Sequence, residues 1–341
     1  MLPFGVEAMS LGDPIRMKLK QSAAKIDGFI EKQLKPRRPE VLYEAARHLI
    51  EAGGKRLRPY LVLRSCEVVG GDADVAVPFA AALEILHNFT LIHDDIMDND
   101  ELRRGVPTVH ARWGIPIAIA GGDLLFAKVY EVMTGAAGAL SCDSVRDCIE
   151  RVTEAAISIC EGQVLDTSFP SLSDVSEEDY YAMIGGKTAA LFNACSEVGA
   201  IVGGGGPEEV ERLGGFAWNA GIAFQLVDDY LGATADEETL GKPVGSDLRE
   251  GKKTLIIIHA LGHASAEERE KIECVLGAED ASPGDVKVAN GLLKSLGSLD
   301  YALESARRYA ERAKGLLEPF PDSEAKRDLL ELVDYFMERT N

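Results

Sequence analysis

The sequence predicts an all-α fold, a helical bundle, on three observations. Apolar residues recur at intervals of three and four along most of the chain. The strict alternation of a half-buried strand is nearly absent, and the breaks between periodic stretches are short and marked by glycine or proline. Ile15, Leu19, Ile26, Phe29 and Ile30 mark one face of a first helix. Leu42, Ala45, Ala46 and Leu49 mark a second, which Gly53-Gly54 stops. Helical segments then run roughly from Leu57 to Val69, Asp74 to Asp98, Ile115 to Ala139, Asp143 to Ser168, Ser176 to Val202 and Pro207 to Leu231. Breaks fall at Gly70-Gly71, Gly203 to Pro207, Gly241 to Gly245 and Pro283-Gly284, none of which reads as an interdomain linker. Residues 1–341 are therefore expected to form one domain. Beyond Leu255 the helices turn charged and amphipathic, as in Tyr301 to Leu317 and Asp322 to Arg339, which suggests an outer layer without site chemistry.

With 46% hydrophobic and 27% charged residues, the 341-residue chain has the composition of a globular protein with a sizeable core. A formal net charge of −20 argues against nucleic acid and against an anionic membrane surface as partners. No apolar run reaches the roughly 18 residues of a membrane span, and Met1 to Gly12 lack the pattern of a secretory signal, so a cytoplasmic location is expected. Cys66, Cys142, Cys148, Cys160, Cys195 and Cys274 are scattered without a CxxC pair and read as small buried hydrophobes. Against this acidic background, local clusters of lysine and arginine point to an anion held at those places.

Two acidic clusters stand out. Asp94, Asp95, Asp98 and Asp100 lie in HDDIMDNDELRRG at the C-terminal end of the long apolar segment that starts near Asp74. Spacings of three and four put Asp94, Asp95 and Asp98 on one helix face, where they repel one another and oppose the helix dipole unless a cation neutralises them. A solvated acidic helix end would carry the same residues. Mg²⁺ suits such an open face, because it takes one or two carboxylates and fills its octahedron with water and phosphate oxygens. The second cluster, FQLVDDYLGATADEETLGKPVGSDLREGKKT, again ends an apolar segment with paired aspartates, Asp228 and Asp229, and adds Asp236, Lys242, Asp247 and Lys252. If the two helix ends face each other in a bundle, they can clamp one diphosphate through two or three Mg²⁺ ions.

The basic groups supply the complement. GGKRLRP sets Lys55, Arg56 and Arg58 at a helix start, where free backbone N–H groups also attract anions. Arg103 and Arg104 follow the first acidic cluster and suit bidentate phosphate contacts, although pairing with Asp98, Asp100 or Glu101 would serve them equally. Lys187-Thr188 follows Gly185-Gly186 inside a helical pattern, where the glycines allow either a kink or close packing. His87 lies two turns before Asp94 and within reach of a phosphate; His93 reads as structural.

Taken in order, GGKRLRP, HDDIMDNDELRRG, GQVLD, GGKTAALF, FQLVDDYLG and LGKPVGSDLREGKKT resemble the trans-prenyl diphosphate synthase family over about Gly53 to Thr254. The resemblance implies a bundle of about ten core helices around a deep central cavity, as a homodimer. It implies that Asp94, Asp95, Asp98, Asp228 and Asp229 ligate Mg²⁺ on an allylic diphosphate, dimethylallyl, geranyl or farnesyl, which Arg103, Lys187 and Lys242 contact. Lys55, Arg58, His87 and Arg104 would bind the diphosphate of isopentenyl diphosphate, and Thr188, Gln225 and Lys252 would line the site. Gln163 and Asp166 occupy the GQxxD helix. Where many relatives carry a third aspartate, this chain has Gly232, with Asp236 four residues on as a substitute.

The implied reaction is head-to-tail (1′-4) condensation, in which the allylic diphosphate departs with its charge stabilised and the isopentenyl double bond attacks the cation. Product length would be set on the helix leading into the first cluster, where one turn rises about 5.4 Å, near one isoprene unit. Phe89 stands five residues before Asp94 and the small Thr90 four before, a combination that resembles geranylgeranyl (C20) synthases. A farnesyl (C15) or mixed C15/C20 product is the nearest alternative. A class I terpene cyclase would leave GGKRLRP and Arg103-Arg104 without a purpose, and a non-catalytic subunit of a heteromeric synthase would normally have lost an aspartate cluster.

Overall fold

The structure, a computed structural model, describes residues 12–136, 138, 140–234, 246–278 and 280–338. Those residues are overwhelmingly helical, and the only strands among them form a two-residue hairpin, Leu102–Arg103 with Val106–Pro107. Contacts gather the chain into two compact units. The first takes residues up to Asp147 together with Val198–Gly206 and Phe320–Glu338; the second takes Cys148–Glu197 and Pro207–Pro319.

In the first unit, α1 (Gly12–Gln33), α2 (Glu40–Glu51), α3 (Leu57–Val68), α4 (Ala73–Met97), α5 (Val109–Trp113) and α6 (Ile115–Gly135) lead up to α7 (Cys142–Ser168). Helix α4 begins where the Asp72 side chain accepts the N–H of Asp74, an N-cap. It packs on α3 and α6, and its Phe79, Leu83, Ile85 and Leu86 are fully buried. By length and composition α4 is apolar enough to cross a bilayer, which corrects the expectation that no stretch qualifies. Two thirds of its apolar window is buried in the protein, and that marks it as a core helix.

The second unit continues α7 into α8 (Glu177–Ile184), which a Ser176–Asp179 capping box starts. A single π turn (Gly185–Ala189) joins it to α9 (Ala190–Val202). Then come α10 (Pro207–Thr234), α11 (Ser246–Arg249), α12 (Leu255–His263), α13 (Ala266–Glu273), α14 (Pro283–Ser295) and α15 (Ser298–Leu317), and α16 (Glu324–Glu338) returns to the first unit. Helix α10 packs along α15 and against the π turn. Gly221 permits that approach, since a Cβ there would stand 2.9 Å from Ala189 Cα.

Two expectations are corrected by packing. Only Cys66, Cys148 and Cys195 are buried; Cys142, Cys160 and Cys274 lie on outward helix faces or ends, and all six are free thiols. The helix that starts at Leu255 is apolar, with Leu255, Ile256, Ile257 and Ala260 buried, so the charged layer begins only after it.

Candidate functional site

The two acidic clusters fall in different units, and each is held differently. In the first, α4 ends at Met97, and Asp98 is its C-cap, its N–H donating to Asp94 O at 2.8 Å. Asp95 is fully buried, Asp94 half-buried and Asp98 exposed. The three carboxylates therefore do not converge into a ready cage, and among the described residues no three acid, histidine or cysteine side chains do. Asp95 Oδ1 accepts a hydrogen bond from Arg103 Nε, and Arg103 also lies 3.6 Å from Asp100. Pairing of Arg103 with Asp100 was one sequence reading; Asp95 was not foreseen. The other oxygen, Asp95 Oδ2, is buried without a hydrogen-bond partner among the described residues. Burial pushes the Asp95 carboxyl up from its ordinary value, and Arg103 pulls it back.

The loop before α3 carries the cations of this unit. Gly53 (φ 92°) and Gly54 (φ 147°) adopt backbone conformations that favour glycine, and a Cβ on Gly54 would press 3.1 Å from the Arg104 guanidinium. Arg56, read from sequence as one of three anion-facing cations, is instead buried and structural. Its guanidinium donates to Asp27 Oδ1 (2.7 Å), Glu84 Oε1 (2.9 Å), Gly53 O (3.1 Å) and Ile50 O (2.7 Å), holding its own φ of +51°. This anchoring leaves Lys55 and Arg58 on either side of it along the chain. Arg104 Nη1 donates to Leu49 O at 2.8 Å and to Gly53 O. Arg58 Nη1 lies 3.2 Å from His87 Nε2. Burial, then Arg58 and Arg104, hold the His87 imidazole well below its ordinary value, so it stays neutral and accepts from Arg58.

Lys55 is exposed, its ammonium 5.6 Å from the ring centroid of Tyr335 on α16, with Arg16 5.7 Å from the same ring. Seven residues earlier on that helix, Asp328 is buried and accepts from Tyr60 Oη at 3.0 Å and from Lys18. Helix α16 thus does touch a candidate site cation, contrary to the expectation of an outer layer without chemistry. Only a ring in the last helix pattern could have signalled it.

On α4, Phe89 meets Phe126 of α6 in a tilted contact at 5.1 Å and His93 edge-to-face at 4.7 Å between centroids. His93 sits in a notch that only a glycine allows, a Cβ on Gly122 lying 2.3 Å from its Nε2, which agrees with a structural His93. Thr90 Oγ1 is turned back to His87 O at 2.8 Å.

In the second unit, Asp228 and Asp229 are half-buried near the end of α10. Asp229 accepts from two neutral donors, Tyr180 Oη at 2.6 Å and Gln225 Nε2 at 2.8 Å, among its contacts. Gln225 in turn accepts from Thr188 Oγ1 at 2.9 Å, so Thr188 and Gln225 meet as the motifs implied. Lys187 Nζ pairs with Asp166. Both glycine readings hold at Gly185-Gly186: the backbone forms a π turn, a feature common at functional sites, and a Cβ on Gly186 would meet Ser158 O at 2.6 Å. Tyr180, fully buried, escaped the sequence reading; a tyrosine five residues before the GGKT motif was its only signal. Lys252 pairs with Glu250 at 2.8 Å, and Gly232 lies in the last turn of α10. Lys242 and Asp236 lie outside the described residues.

Comparison with known proteins agrees with this arrangement. The family model for polyprenyl synthetase matches residues 39–293. A geranylgeranyl diphosphate synthase of Sulfolobus acidocaldarius is 45% identical over 272 residues, 80% of this chain and 82% of that one. A geranylfarnesyl diphosphate synthase of Aeropyrum pernix is 43% identical over 306 residues, 88% and 95% of the two chains. The crystal structure of geranylgeranyl pyrophosphate synthetase from Pyrococcus horikoshii superposes with a TM-score of 0.92 at 43% identity, covering 96% of this chain and 99% of that one. With three quarters of its length inside the family model and relatives of 43–45% identity over most of the chain, this chain belongs to the polyprenyl synthetase family of prenyltransferases.

Proposed function

We propose that the chain condenses an allylic diphosphate with isopentenyl diphosphate and releases geranylgeranyl diphosphate, C20. One observation carries the reading: Arg58, Arg104, Arg103 and Arg56 set their positive charge around a histidine, His87, that stays neutral and accepts from Arg58, so the GGKRLRP loop and its neighbours hold a field of positive charge that a cyclase with one diphosphate substrate would not need. That loop is the proposed seat of the isopentenyl diphosphate. Arg103, Lys187 and Lys242 are proposed to contact the allylic diphosphate, with Thr188, Gln225 and Lys252 lining the site.

Mg²⁺ dependence is general in this family, and the residues here suit a hard divalent cation. The donors are carboxylates, and Asp95 keeps a buried oxygen without a hydrogen-bond partner among the described residues. Asp94, Asp95, Asp98, Asp228 and Asp229 are the proposed ligands of two or three ions. When bound, Mg²⁺ supplies neutralisation of the diphosphate charge. The protein's own groups do the rest: cations orient the two diphosphates, and apolar walls exclude water from the allylic cation.

Phe89, backed by Phe126, is the proposed floor that stops growth at C20, with Thr90 leaving the level above it open. We further infer one functional domain, since the family match runs through both units; a cytoplasmic location, which six free thiols support; and a homodimer, which the exposed Ile115 and Ile119 of α6 support.

The test is incubation of the purified protein with Mg²⁺, isopentenyl diphosphate and, separately, dimethylallyl, geranyl and farnesyl diphosphate, with product length measured for wild type and Phe89→Ala. A C20 product that lengthens by about one isoprene unit in the variant is expected, one helix turn matching one unit. No condensation with any starter would overturn the assignment in favour of a non-catalytic subunit. An unchanged length in Phe89→Ala would remove the floor alone.

A further inference from the structure

Gln163 on α7 is 5% exposed, and both its side-chain atoms, Oε1 and Nε2, are buried without a hydrogen-bond partner among the described residues. A buried amide left in that state loses two to three hydrogen bonds to water and gains none, one of the costlier arrangements a core can hold. Packing does not explain it, because leucine or methionine would fill similar space without the penalty. The sequence pattern that singled out GQVLD gave Gln163 no role.

Its position gives one. The neighbouring Gly162 is pressed on the π turn, where a Cβ would stand 2.3 Å from Lys187 N, so α7 and the Lys187 loop are in backbone contact. Three residues on, Asp166 pairs with Lys187. Gln163 therefore lies about 4.5 Å back along α7 from Asp166, and about 60° around the helix from it. Side-chain exposure falls along this path, from 26% at Lys187 and 19% at Asp166 to a whole-residue exposure of 5% at Gln163. A diphosphate bound at Lys187 would have its ester oxygen and first carbon one step deeper, at the level of the Gln163 amide.

We propose that Gln163 is a catalytic residue whose amide dipole lies along the breaking C1–O bond. Its NH₂ end donates to the departing ester oxygen and its carbonyl end faces the allylic carbons. As the C1–O bond breaks, both electrons leave with the diphosphate oxygen, and positive charge spreads over the allyl unit. The π pair of isopentenyl diphosphate then forms the new C–C bond, and the proton lost from the adduct goes to the released diphosphate. A fixed dipole in a dry site stabilises both developing charges without reorganising, and its cost in the free protein is the usual one for a site built toward its ligand.

The inference rests on the proposed prenyl transfer, and its test separates the two. Wild type, Gln163→Leu and Gln163→Met are compared for kcat, KM, melting temperature and equilibrium binding of two probes, farnesyl diphosphate and an analogue carrying a protonated amine at the allylic cation position. Wild-type turnover reports on the transfer; the ratio of the two affinities reports on Gln163 whether or not turnover is seen. The expected result is a kcat about 10²-fold lower with KM little changed, an amine analogue that loses about tenfold more affinity than farnesyl diphosphate, and a melting temperature unchanged or raised. A kcat within about twofold of wild type, equal losses for both probes, or a fall in melting temperature in both variants would each overturn the proposal.

Discussion

The two acidic helix ends differ in what holds them. In the first unit, buried Asp95 is held by a cation, Arg103; in the second, two of the groups that hold Asp229 are neutral donors, Tyr180 and Gln225. The lysines show the reverse. Lys55 of the first unit rests on the face of a ring, Tyr335, whereas Lys187 of the second is paired with a carboxylate, Asp166. A charge held by a neutral group keeps its full strength for a ligand, and a charge held by its opposite is partly spent before the ligand arrives. On this comparison Lys55 is the poised charge, and under the proposed function Asp95 and Lys187 exchange one partner for another when substrate binds.

The comparison breaks most visibly at Asp95. Asp95→Asn should lower kcat by about 10³-fold, since loss of a ligand costs several kcal/mol of charge stabilisation and each 1.36 kcal/mol is tenfold in rate. Steady-state kinetics at saturating Mg²⁺ within tenfold of wild type would show that Arg103 and Asp95 are a structural pair.

Tyr180→Phe removes only a neutral hydroxyl from Asp229 and should weaken apparent Mg²⁺ affinity by about 10- to 100-fold, as loss of a ligand's supporting partner does. A Mg²⁺ titration of activity measures it; an unchanged midpoint would mean that the Tyr180 hydroxyl does not orient the carboxylate. The smallest effect belongs to Tyr335→Leu. Loss of a cation–π contact of about 0.5–1 kcal/mol should raise KM for isopentenyl diphosphate about two- to fivefold and leave that for the allylic substrate unchanged. Equal changes in both KM values would detach Lys55 from the isopentenyl side.

Much of this protein was legible in its residues. Helix segments were read nearly to their ends because a helix is held by contacts three and four residues apart, and caps such as Asp72 and Ser176 are local too. The acidic helix ends and the glycine-lysine loops were legible because their motifs are contiguous. Arg56 went wrong for the same reason: GGKRLRP shows three basic residues in a row of seven, and nothing in it reveals that Glu84, 28 residues on, captures the middle one. Three cysteines were likewise assigned to the core by their apolar neighbours alone and turned out to face solvent.

The sequence by itself determined the fold class, the helix ends that carry acid and the loops that carry base, since each is encoded in spacing along one segment. Only the tertiary structure decided which partner holds each charge. Tyr180 reaches Asp229 across 49 residues, Tyr335 reaches Lys55 from the other end of the chain, and the Gln163 amide is buried without a hydrogen-bond partner among the described residues. Such pairings depend on how helices pack, and packing is a property of surfaces that no local spacing specifies.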